Sequence, residues 1–273
     1  MSPSTATERT AWRIFGRRID PTRVTVASTI VVIASLAWLV TFLASGGMGM
    51  SDQMTFDMAP LPGFLAVWVV GMVAMMFPVM VPVVLLYDRL RKTPAPGAAD
   101  PPERSAFNRA LSSPLFLSGY LAMYASLGIG AFLVLWTGSS LAMEFPQLLP
   151  YAWIVPGAVF IGAGAYQLSP VKQKCLALVH SPLGIFMKGW RDDLPGSFLM
   201  GARHGYYCVG CCWLYMIVLT LVGAMGVFWM AAFAVVISVE KATGRWGMKF
   251  SKAIAAGFII VGVLFAVQGL PTL

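Results

Sequence analysis

Apolar residues recur along this chain in long unbroken runs, separated by shorter stretches where charge, proline and glycine collect. A run of about 20 apolar residues makes a helix of about 30 Å, the thickness of a bilayer's hydrocarbon core. Seven segments qualify, at 24–44, 64–87, 114–136, 151–168, 199–222, 224–239 and 253–270. Residues 199–239 are too many for one crossing and enough for two, with Gly223 and Gly226 supplying the turn. The expected fold is therefore all-α: a polytopic transmembrane helical bundle of about seven spans, one domain over residues 24–270, preceded by a basic leader, 1–23.

Charge orients the bundle. The 19 Lys and Arg residues fall in the leader and in alternate connections. Arg13, Arg17 and Arg18 precede the first span, and Arg89, Arg91 and Arg104 follow the second. Lys172, Lys188 and Arg191 follow the fourth, and Lys241, Arg245 and Lys249 follow the sixth. Basic residues stay on the cytoplasmic side, so the N-terminus is expected in the cytoplasm and the C-terminus outside, as a multi-pass protein of the cell membrane. Composition agrees, with 58% hydrophobic and 11% charged residues, where soluble domains carry about a quarter charged. The net charge of +8 then reflects topology and contact with anionic membrane lipid, with no call for a nucleic-acid partner. The charged leader and the apolar run after it are both too long for a cleaved signal peptide. Residues 8–19 of the leader mix arginines with Trp12, Phe15 and Ile19, which suits an interfacial helix or a disordered basic arm equally.

The candidate chemistry gathers in His204-Gly-Tyr-Tyr-Cys208-Val-Gly-Cys211-Cys212-Trp213, which holds three of the chain's 4 cysteines. On a helix His204, Cys208 and Cys211 share one face, and Cys212 lies about 100° further round, beside Met216 one turn on. The second span carries Met72, Met75 and Met76, with Pro78 and Pro82 beyond them. Counted from the inner ends of their spans, Met76 and Cys208–Cys212 sit at comparable depth, so the two sets can face one another. Between the first two spans Met48, Met50, Met54 and Met58 crowd a polar outside loop, an entry or delivery site for a soft ion or else an apolar loop on the bilayer surface. The loop from Gln167 to Pro182 contributes Cys175 and His180, either further ligands and a hand-over point or a buried thiol and a solvated imidazole. Glu240 beside Lys241 reads first as an interfacial ion pair and second as support for the cysteine helix.

Several chemistries use Cys-x-x-Cys-Cys. Covalent haem attachment needs His after the second Cys, and Cys212 stands there. A zinc finger needs a second cysteine pair. An iron–sulfur cluster needs four thiolates, which only Cys175 could complete, at an unfamiliar spacing. A dithiol redox pair of Cys208 and Cys211 stays open, as does plain packing of small thiols. Copper as Cu(I) fits best: it takes two or three thiolates, accepts Met as a further ligand and suits a site shielded from water. A cation also offsets the cost of a thiolate in hydrocarbon.

These residues carry a likeness. The chain resembles a widespread family of predicted metal-binding integral membrane proteins, a domain of unknown function. The matching pieces are Ala74-Met75-Met76-Phe77-Pro78, Gln167-Leu-Ser-Pro170-Val-Lys172 with Cys175-Leu176, Gly205 through Cys208-Val-Gly-Cys211-Cys212-Trp213 with Met216, and Glu240-Lys241. They span residues 64–252, and the Cys-Val-Gly-Cys-Cys-Trp string is specific. Members often carry a second cysteine three or four residues after the one matching Cys175, where this chain has Leu178 and Val179, followed by His180. The resemblance implies metal binding in a membrane and no established reaction. Three functions remain: copper handling or delivery with a metal donor or acceptor protein as partner; a membrane dithiol or copper oxidoreductase; or an accessory subunit of a membrane complex.

Overall fold

The computed structural model describes residues 21–47, 60–92, 106–147, 154–187, 189–191, 193–221, 227–243 and 245–268. Among them the fold is helical throughout, without strands. The helices are α1 (Pro21–Gly47), α2 (Leu61–Lys92), α3 (Ala106–Glu144), α4 (Ile154–Gln167), α5 (Pro170–His180), α6 (Pro182–Met187), α7 (Leu194–Leu221), α8 (Val227–Ala242) and α9 (Arg245–Gln268). Each of the seven expected segments overlaps a helix. The leader, the methionine-rich segment 48–58 and the turn glycines Gly223 and Gly226 lie outside the described residues.

Among the described residues four helices are long and apolar enough to cross a membrane, over Arg23–Ala44, Leu61–Arg91, Ala110–Glu144 and Lys249–Val267. A fifth is added if α4 and α5, bent by 60°, form one broken span. The count of seven is thus not reached by length and apolarity alone. Helix α8 has 16 residues, about 24 Å at 1.5 Å per residue, and α7 is diluted by Arg203, His204 and its tyrosines.

The stretch after Gln167, read above as a loop, is helical. Ser169 caps α5, its hydroxyl accepting from Lys172 N at 3.2 Å, and Pro170 takes the first turn, where its missing N–H costs nothing. Helix α2 runs on through Pro78 and Pro82, although each proline removes a donor from the carbonyl four residues back.

Helices α3 and α7 pack along one another, as do α4 with α9 and α1 with α2. Small residues permit the first two contacts. A Cβ on Gly119 or Gly201 would strike the backbone of Phe198 or Phe116 across the α3–α7 seam. Trp68 Nε1 donates to Tyr124 O at 2.9 Å and ties α2 to α3. The core that results is rich in sulfur and aromatic rings: Met72, Met75, Met76 and Met80 of α2, Tyr120 and Tyr124 of α3, and Cys208, Cys211, Cys212 and Met216 of α7 are all buried in one cluster. Large apolar side chains also point outward, among them Phe42, Leu133, Val134 and Ile260.

Candidate metal centre

Helix α7 brings its cysteines to the middle of this core because their spacing keeps them on its inner side. Cys208, Cys211 and Cys212 are 2–3% exposed and none is in a disulfide. Their environments differ. Cys208 Sγ is ringed by polar groups, with Lys241 Nζ donating at 2.8 Å, Tyr120 OH at 3.1 Å and Tyr124 OH donating at 3.3 Å. The thiols of Cys211 and Cys212 turn back on their own helix, each donating to Cys208 O at 3.0 Å. Cys212 Sγ also lies 3.3 Å from Tyr124 OH. Among the described residues no three His, Cys, Asp or Glu side chains are disposed to hold a metal ion.

Lys241 bridges Met76 and Cys208 across the bundle. Lys241 Nζ lies 3.5 Å from Met76 Sδ and 2.8 Å from Cys208 Sγ, so the two sulfurs converge on one point although they come from α2 and α7. Met72, Met75 and Met216 are buried in the same cluster, and no polar contact involves their sulfurs among the described residues. His204 is 1% exposed and sits among the rings of Phe116, Tyr120 and Phe186, at centroid distances of 6.2–6.5 Å. Neither of its nitrogens has a hydrogen-bond partner, an arrangement that costs about 1–3 kcal/mol unless a ligand satisfies it. His204 and Cys208 line a cavity of about 490 Å³, together with Met80, His180, Lys241, Pro78 and Pro82. His180 thus belongs to the cavity wall, and its Nε2 is buried without a partner. Cys175 is half-buried and packs against Gly210 on α7, away from the converging sulfurs.

Glu240 and Lys241 do not pair with each other as the sequence suggested. Glu240 takes an ion pair from Lys172 of α5 at 2.8 Å, and accepts from Tyr215 OH at 2.8 Å and Ser251 Oγ at 2.6 Å. Lys172 also donates to Gln167 Oε1 and lies over the Tyr215 ring. Consecutive residues on a helix point about 100° apart, so Glu240 joins this network while Lys241 turns to the sulfurs. Tyr120, Tyr124 and Lys172 were not singled out as site residues by sequence reasoning. The tyrosine pair, one turn apart in a span otherwise built of small and apolar residues, was the available signal.

A soft cation suits what is present. Thiolate and thioether sulfur select Cu(I), imidazole accepts it, and the unpartnered His204 nitrogens lie on the same cavity as Cys208. The fold and centre together define an all-helical protein with several helices long enough to cross a membrane and a buried sulfur cluster open to a cavity. Comparison with known families gives this class a name: the chain belongs to the copper chaperone family PpoB2, whose model matches residues 65–265. No curated protein and no solved structure matches the chain. The match makes copper handling the family's business and agrees with the expectation of a metal-handling family.

Proposed function

We propose that the protein is a multi-pass membrane chaperone that holds Cu(I) among Cys208, Met76 and His204 and passes it to an acceptor protein. Cys211 and Cys212 join as ligands once their thiols rotate away from Cys208 O, and Met72, Met75 and Met216 form the soft wall behind them. Seven crossings, with the basic connections on the cytoplasmic side, place this centre at mid-depth. The outward-facing Phe42, Leu133, Val134 and Ile260 support a lipid environment. In this reading Met48, Met50, Met54 and Met58 gather the ion outside, and His180 stands on the wall of the cavity beside the centre. Cys175 serves hand-over at the other side of α7. Glu240 and Lys241 set the position of α8 against the cysteine helix.

The observation that carries the reading is the convergence of Met76 Sδ and Cys208 Sγ from two helices on one point, beside an imidazole with no partner. Elemental analysis of the detergent-purified protein tests it. About one copper per chain is expected, falling to background when Cys208, Cys211 and Cys212 are all changed to Ser. A wild-type protein free of copper after loading, or a triple variant that retains it, sinks the proposal.

A further inference from the structure

Lys241 is a buried cation in an odd place. It is 7% exposed, and among the described residues no carboxylate lies within ion-pair distance of it, because Glu240 has turned to Lys172. Its ammonium lies between the sulfurs of Cys208 and Met76, at 2.8 and 3.5 Å. A metal ion bonded to Cys208 Sγ, at the roughly 2.3 Å usual for thiolate, and drawn to Met76 Sδ would compete with the ammonium for the point between the two sulfurs. Ion and ammonium cannot share that point. The ammonium can retreat, since Lys241 lines the 490 Å³ cavity. It cannot leave, since four methylenes tether it to α8.

Resting on the metal centre proposed above, we propose that Lys241 is a specificity-determining residue, a tethered cation that the incoming ion displaces and that continues to repel it from the cavity. Coulomb repulsion scales with the charge of the ion, so a divalent ion meets twice the opposition of a monovalent one. The centre therefore takes Cu(I) or Ag(I) and rejects Zn(II), which thiol and imidazole ligands would otherwise bind readily. The ligand atoms supply softness; Lys241 supplies the preference for a single charge.

Detergent-purified wild type, Lys241→Leu and Lys241→Arg are titrated with Ag(I) and with Zn(II), and folding is checked by thermal unfolding. Removing the charge in Lys241→Leu tightens both ions, Zn(II) by about the square of the factor for Ag(I), for example about a hundredfold against about tenfold. Lys241→Arg keeps the wild-type ratio. Equal tightening of the two ions, or weakening of both in a folded variant, overturns the role. Amine labelling of the wild type adds a test that needs no variant: Lys241 is protected without Ag(I) and reactive with it. Unchanged labelling despite bound Ag(I) overturns the displacement and leaves the metal centre standing. A wild type that binds no Ag(I) overturns both.

Discussion

The buried pair of Lys172 and Glu240 offers the sharpest test of how the bundle is held together. It links α5 to α8, and through Tyr215 and Ser251 it also reaches α7 and α9. Both side chains are 1–3% exposed, so neither charge has water to fall back on. Glu240→Gln preserves an acceptor for the two hydroxyls and removes the charge. It leaves Lys172 with neutral partners alone, Gln167, Tyr215 and Ser251, and a buried ammonium without its counter-charge costs about 3–5 kcal/mol. Lys172→Met removes the other partner and is expected to cost about 2–4 kcal/mol, since Tyr215 and Ser251 still hold the carboxylate. The double variant leaves no unpaired charge and keeps both hydroxyl bonds, so it is expected within about 1–2 kcal/mol of wild type. Reversible unfolding in mixed detergent, run as a double-mutant cycle, reads the coupling directly. If the two single losses simply add in the double variant, the pair is not coupled and the reasoning fails.

Three further outcomes follow from the same structure. His204→Leu loses no internal hydrogen bond, because neither nitrogen has a partner; unfolding stability is expected unchanged or raised by about 1 kcal/mol, while Ag(I) affinity in a competition titration drops about tenfold or more. Gly201→Ala puts a Cβ against the backbone of Phe116 and forces α3 from α7, an overpacking worth about 1–3 kcal/mol in the same unfolding assay, with copper occupancy falling because Tyr120 and Tyr124 move off Cys208. Reporter fusions at 95–100 and at the C-terminus are expected to report cytoplasm and outside respectively; the same side for both rejects the seven-crossing topology.

Much of the architecture is legible in the chain, because the length of an apolar run is itself a measurement against the bilayer. The burial of Cys208, Cys211 and Cys212 together could be read from their helical spacing. The direction of each thiol could not, since Cys211 and Cys212 chose the carbonyl of Cys208 on rotamer grounds that no pattern encodes. Helix α5 was missed because its polar composition outweighed the Ser169-Pro170 start signal, which was there to be seen.

The end of α8 shows why the remainder needed three dimensions. Two adjacent opposite charges at the end of an apolar run satisfy each other at an interface, and the sequence offers no reason to look elsewhere. Burying that end changes the arithmetic, since each charge then requires its own partner in place of water. The 100° step between neighbours sends Glu240 to Lys172 and Lys241 to Cys208. One helix turn thereby fastens two networks, and a shift of α8 at Glu240 is expected to move the ammonium beside the sulfurs. Glu240→Gln should accordingly alter the Ag(I)-to-Zn(II) preference as well as stability. A variant that loses stability with that preference intact would show that the two networks, although adjacent along the chain, act independently.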